Sequence, residues 1–319
     1  MIINFKHVTD IPSPGLGAKL AFDGNRLALA RGSVLKIGNL DGFFDSYRFP
    51  GYQLQEVRFT QKDDCVLVSP YIAEIDTKSL RPDNMLIELK EKLYKGFQGT
   101  VEVTVATHSP KAIYVALGLQ CRPPKGMKRD EEATEISNYS SCVVLIEAQT
   151  GKLISKIDES HFPYSAIAIS DTHLAVASIE GSFLLDISSG DQLVNFVGKS
   201  KIFKRLQFSE DGCFLVCGGL DGQIMVWDIL AKKQKAIFST HEGEVTGLSF
   251  HPTLNVLLTC GNDSHCRVWD LDNTSNCLAE LKLSGPVSEI ALSSSGDSVA
   301  LVTGSFGNTI EIHKIQVRI

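Results

Sequence analysis

Apolar and polar positions alternate along most of this chain in short runs, and the clearest stretch is His241 to Asp270, HEGEVTGLSFHPTLNVLLTCGNDSHCRVWD. Val245, Leu248 and Phe250 fit an inner strand, after which His251 and Pro252 turn the chain. A second strand follows at Val256 to Thr259. A tight turn around Asn262 and Asp263 then leads to a third, Cys266 to Trp269, closed by Asp270. A sheet this small cannot bury both of its faces alone, so the pattern has to recur at a period of roughly 40 to 45 residues. The last apolar position of each inner strand falls at Phe22, Phe59, Val105, Ile169, Phe208, Phe250 and Leu292, with steps of 37, 46, 64, 39, 42 and 42 residues. The long step contains the polar stretch Gln120 to Ser141, whose PPKG and MKRDEEATE segments mark an exposed loop insertion over about residues 120–141. After Gly307 one strand remains, Thr309 to Ile315, so the last repeat lacks an outer strand. Ile2 to Val8 alternates apolar and polar residues and has no partner of its own; pairing the two removes an exposed sheet edge.

Residues 199–270 resemble the WD-repeat family. His241 to Asp270 matches almost one complete repeat, and LDGQIMVWD keeps Asp221 and Trp227 of another, with Lys199 where the loop His stands and Cys217 where the strand Ser or Thr stands. Elsewhere the match thins. The last repeat keeps Thr303 and Gly304 but has His313 at the Trp position, the fourth has Glu180 for the turn Asp, and the first three carry only the apolar alternation. The resemblance and the seven markers together imply an all-β, seven-bladed β-propeller of four-stranded antiparallel blades, its ring closed by the N-terminal strand, forming one domain over residues 1–319. The resemblance also implies a structural tetrad of hydrogen-bonded side chains, here His241, Thr259, Asp263 and Trp269. A buried indole N–H and a buried carboxylate each need a partner, and supplying both fixes a turn that would otherwise fray.

Composition narrows the function classes. No apolar stretch approaches the ~18 residues that span a bilayer, and the N-terminus lacks a basic segment followed by an apolar run. The expectation is a cytoplasmic or nuclear protein without direct membrane insertion. The formal net charge of −6 argues against general nucleic-acid binding, which calls for a basic face. Eight cysteines are scattered, and Cys213, Cys217, Cys260 and Cys266 fall in expected strands, where thiols behave as small buried hydrophobes. Cys260, His265 and Cys266 lack the paired spacing of zinc ligands, so no metal and no cofactor is expected.

No catalytic arrangement stands out. Gly181-Ser182 and Gly304-Ser305 sit in expected inter-strand turns rather than a nucleophile elbow, and no phosphate-binding loop is present. His241 and His313 occupy repeat positions that call for packing or hydrogen bonding. What remains is recognition of other proteins. In WD-repeat propellers the residue before the turn acid projects toward one face, which places Ile179, Leu220, Asn262 and Phe306 there, with Tyr71 in a similar place. Apolar side chains at turn tips depart from the usual Gly, Asn, Asp and Ser and mark a candidate partner site. A second candidate is the basic entrance at Lys199, Lys201 and Arg205. The function expected is a non-catalytic scaffold for protein–protein interactions within a multi-protein complex. The alternatives are a peptide or substrate reader, as in ubiquitin-ligase receptors and chromatin readers, and a propeller-type exchange factor for a small GTPase. The W-D-x-R element of many cullin-adaptor receptors is absent after both Trp227-Asp228 and Trp269-Asp270.

Overall fold

A computed structural model describes the chain except residues 14, 16, 24–25, 49–53, 55, 60–64, 70–73, 77–99, 112, 123–139, 149, 151, 161, 197–201, 240, 274–275 and 319. Among the described residues its regular elements are strands. After β1 (Ile2–Pro12) come β2 (Lys19–Asp23), β3 (Arg26–Arg31), β4 (Val34–Asn39) and β5 (Gly42–Arg48), then β6 (Glu56–Phe59), β7 (Cys65–Ser69) and β8 (Glu74–Asp76). Next are β9 (Thr100–His108), β10 (Tyr114–Arg122), β11 (Ser140–Glu147) and β12 (Leu153–Ser160), followed by β13 (Ala166–Ile169), β14 (His173–Ala177), β15 (Ser182–Asp186) and β16 (Gln192–Asn195). The chain continues through β17 (Phe203–Phe208), β18 (Phe214–Gly219), β19 (Gln223–Asp228), β20 (Lys233–Ser239), β21 (Val245–Phe250), β22 (Val256–Gly261), β23 (His265–Asp270) and β24 (Cys277–Lys282). It closes with β25 (Val287–Leu292), β26 (Ser298–Thr303) and β27 (Thr309–Arg318).

Consecutive strands pair antiparallel into separate sheets that pack on one another in chain order, β25 returning to β2. The expected seven four-stranded blades are corrected here. Among the described residues the propeller has six four-stranded blades, whereas the sheet of β6, β7 and β8 has three strands. The blade of β25, β26 and β27 takes β1 as its outer strand, running from Ile2 opposite Arg318 to Pro12 opposite Thr309. The insertion is also narrower than expected. β10 runs to Arg122 and β11 starts at Ser140, with Gln120 and Ser141 buried opposite each other. Residues 123–139, like Tyr71, Lys199 and Lys201, lie outside the described residues.

The core lies between blades. Along β18, Leu215 and Cys217 pack with β13–β16 residues while Val216 packs toward β21–β24. A second strand buried on both faces reads as a continuous apolar run, which is why FLVCGG and VLLTCG lack alternation. One residue past the first strand of five blades, a side-chain acceptor closes the following turn. Ser170 Oγ accepts from the His173 N–H at 2.9 Å, Ser209 Oγ from Phe214 at 2.9 Å, Ser293 Oγ from Ser298 at 3.1 Å and His251 Nδ1 from Leu254 at 3.1 Å. Ser109 does the same for Tyr114 at 3.1 Å, and His108 opposes Val115 just as Phe208 opposes Leu215. The marker of that blade is therefore His108, three residues beyond Val105, which sits at a register shift opposite Gly118. A histidine at an expected apolar position hid the register.

Candidate functional site

The β21–β24 blade holds a continuous polar chain. The Trp269 indole N–H donates to Thr259 Oγ1 at 2.9 Å, Thr259 Oγ1 lies 2.8 Å from His241 Nε2, and His241 Nδ1 lies 2.9 Å from Asp263 Oδ1. An indole only donates, so the Thr259 hydroxyl passes its own proton to Nε2, and Nδ1–H donates to the carboxylate. Every proton in the chain is used once. Burial lowers the pKa of His241 against the pull of Asp263, with the Arg267 charge adding to the lowering, so the imidazole is neutral as this relay requires. Burial works against the charge on Asp263, yet hydrogen bonds from Arg267 and His241 outweigh it and bring its carboxyl to about 2. Two glycines make room. A Cβ on Gly222, whose φ is +77°, would overlap the His241 carbonyl, and one on Gly261 would press on the His241 ring.

Arg267 belongs to this cluster although no repeat motif points to it. Its Nη1 donates to Asp263 Oδ2 at 2.7 Å and its Nε to Glu280 Oε2 at 2.8 Å. The neighbouring blades show what happens when the chain of donors is lost. In the β17–β20 blade Cys217 stands level with Thr259, and the Trp227 indole N–H donates instead to the Met225 sulfur at 2.7 Å. In the β25–β27 blade register corrects the sequence comparison, because Thr303 opposes Val287 as Gly261 opposes Val245, so it is Leu301 that stands level with Thr259. Thr303 donates instead to Glu311 Oε1 at 2.9 Å, the Ser284 hydroxyl donates to the same oxygen, and His313 Nε2 lies 3.3 Å from Glu311 Oε2.

The residues Ile179, Leu220, Asn262 and Phe306 lie in the turns between second and third strands of four consecutive blades, Phe306 two residues beyond Gly304, which stands level with Asn262. Ile179, Leu220 and Phe306 are 48%, 38% and 75% exposed, and Asn262 is exposed as well. Arg205 is placed differently. Its Nε donates to the Thr246 carbonyl at 2.5 Å and its Nη2 to the Ser288 carbonyl at 3.4 Å, bridging β17 to β21 and β25. Hydroxyls make related ties. Thr246 Oγ1 donates to the Val287 carbonyl at 2.6 Å and Ser165 Oγ to the Phe203 carbonyl at 2.7 Å. Thr104, Ser165, Thr246 and Ser288 each stand four residues before the end of their first strand, a periodic signal that the apolar pattern conceals. Among the described residues no cluster of three or more His, Cys, Asp or Glu is placed to hold a metal ion, and no helix is long and apolar enough to cross a membrane.

The family model "WD domain, G-beta repeat" matches residues 190–228 and 232–270. The chain is 29% identical over 178 residues to the target of rapamycin complex subunit wat1 of Schizosaccharomyces pombe, covering 54% of this chain and 56% of that protein. It is 27% identical over 202 residues to the WD repeat domain-containing protein 83 homolog of Dictyostelium discoideum, covering 62% and 61%. With WD repeat-containing protein 18 of Homo sapiens it shares 27% identity over 187 residues, covering 49% and 42%. The matched regions thus span less than two thirds of each relative's own length.

Proposed function

Starting from the fact that the chain belongs to the WD-repeat β-propeller family, we propose that it acts as a non-catalytic scaffold that holds protein partners within a multi-protein complex, in the cytoplasm or nucleus. The observation that carries this reading is the set of exposed apolar tips Ile179, Leu220 and Phe306 on turns of equivalent position. Each is anchored at both ends by paired strands, so an apolar contact is presented with little ordering entropy left to lose on binding. The relationship to a named complex subunit favours the same reading. The tetrad is assigned to holding its blade, since its donors and acceptors are engaged with one another.

The test is affinity purification with crosslinking mass spectrometry, followed by binding measurements on Leu220→Asp and Phe306→Asp. Each should weaken the captured complex by about 2 kcal/mol or more, as central apolar anchors do, with the melting temperature nearly unchanged. Lys232→Glu, on an exposed turn between third and fourth strands, should leave affinity intact. Unchanged affinity in both tip variants would move the recognition face elsewhere.

A further inference from the structure

The seam that closes the ring sets like side chains against each other. Across β1 and β27, Lys6 opposes Lys314, His7 opposes His313 and Asp10 opposes Glu311. Like charges directly opposite on antiparallel strands repel. Among the described residues no other third-to-fourth strand seam carries three such pairs: the β23–β24 seam sets His265 against Lys282 but balances Arg267 with Glu280. The register also slips between His7 and Thr9, leaving the exposed Val8 unpaired in the middle of the strand. Apolar anchors hold the two ends, Ile3 and Ile11 on β1 being buried.

At the centre of the seam His313 is only 5% exposed, and its Nδ1 is buried with no hydrogen-bond partner. The His7 ring stands edge-on to it with centroids 5.2 Å apart, and His7 Nε2 lies 2.9 Å from Asp10 Oδ1. We propose that this seam is an acid-sensitive latch, in which protonation of His313 beside His7 releases the first strand while the rest of the ring stays folded.

A proton on Nδ1 would have no acceptor in the closed seam, and a charged imidazole would be confined in a buried site. The groups facing it do not reverse this. On its own strand Glu311 attracts the proton, but one Glu311 oxygen is already committed to Ser284 and Thr303. From β1, Asp10 attracts it and His7 repels it. Lys6 and Lys314 add positive charge to the seam, the latter with Asp297 nearby. β26 places Val299 opposite His313, and the β21–β24 blade packs apolar side chains and the Cys260 and Cys266 thiols, both pushed up by burial, onto this side. Burial therefore prevails and lowers the pKa of His313 from 6.5. A released strand binds the proton more readily than the closed seam, so the latch is shut above 6.5 and loosens as pH falls below it. Glu311, itself lowered from 4.5 by its hydroxyl donors against burial, keeps its charge through that window.

Peptide-resolved hydrogen exchange on the full chain, compared as protection factors at about pH 7.5 and about pH 5.5, tests this. Residues 2–12 should lose about tenfold or more of their protection, while residues 203–228, which contain no histidine, keep theirs. His313→Gln should abolish the acid loss. His7→Gln, at an exposed position, should shift it to lower pH and carries the test if the buried variant does not fold. Unchanged protection at residues 2–12, simultaneous loss across the ring, or a folded variant that opens at the parent's pH would each overturn the latch.

Discussion

At the scale of single residues, Thr259 is the pivot of the best-formed blade, since it accepts from Trp269 and gives its proton to His241. Thr259→Val keeps the shape and removes both bonds, leaving a buried indole N–H and a buried ring nitrogen unpaired. The expected cost is about 2 to 3 kcal/mol in urea unfolding. Trp269→Ala should cost more, about 3 to 5 kcal/mol, because it opens a cavity against Phe238 as well. Asp263 adds a pH signature. Its pKa is depressed from 3.8 to about 2, so its contribution is fully present above 3.8 and is lost as pH falls toward 2. That contribution is about 2 kcal/mol. Asp263→Asn should flatten the decline of melting temperature over this range, and a parallel decline in both proteins would remove Asp263 from the acid response. The tetrad residues were legible in the sequence because a His, a Thr, an Asp and a Trp recur there at the spacing of the repeat. Arg267 was not, because nothing in the local pattern of β23 says which way its guanidinium reaches.

At the scale of elements, register decides what a residue is worth. Thr303 looks like the counterpart of Thr259 in the linear comparison, yet pairing puts it level with Gly261, and its hydroxyl serves Glu311 instead. The β1 strand likewise derives its importance from pairing. Removing residues 1–12 strips the outer edge from β27 and uncovers Ile315, so the truncated chain should elute as self-associated species in size-exclusion chromatography. Replacing residues 124–138 with a short Gly/Ser linker should leave the parent's elution volume and melting temperature unchanged, because Cys121 and Ser140 are already paired neighbours. Self-association of the second variant and not of the first would reverse these assignments.

At the scale of the whole molecule, the blades are tied around the centre by side chains donating to carbonyls of neighbouring first strands. Arg205 does this across β17, β21 and β25, whereas Ser165 and Thr246 each bridge one junction. Arg205→Met should therefore lower the stability of the ring by about 1 to 3 kcal/mol, seen as an earlier single urea transition; a loss of partner affinity at unchanged stability would instead return Arg205 to a recognition role. The sequence by itself determined the all-β class, the repeat and the residues of one tetrad, because strand alternation, turn chemistry and the order of polar residues within a repeat are local properties written at fixed spacing. Only the tertiary structure decided that the β6–β8 sheet has three strands among the described residues, that the first strand of the third repeat ends at His108 rather than Val105, and that the Arg205 guanidinium reaches carbonyls of two other blades. These depend on which strands meet and in what register, and a strand's own residues specify its faces but not the neighbour opposite. The like-charge seam between β1 and β27 is of the same kind, for Lys6, His7 and Asp10 acquire their meaning from residues some three hundred positions away.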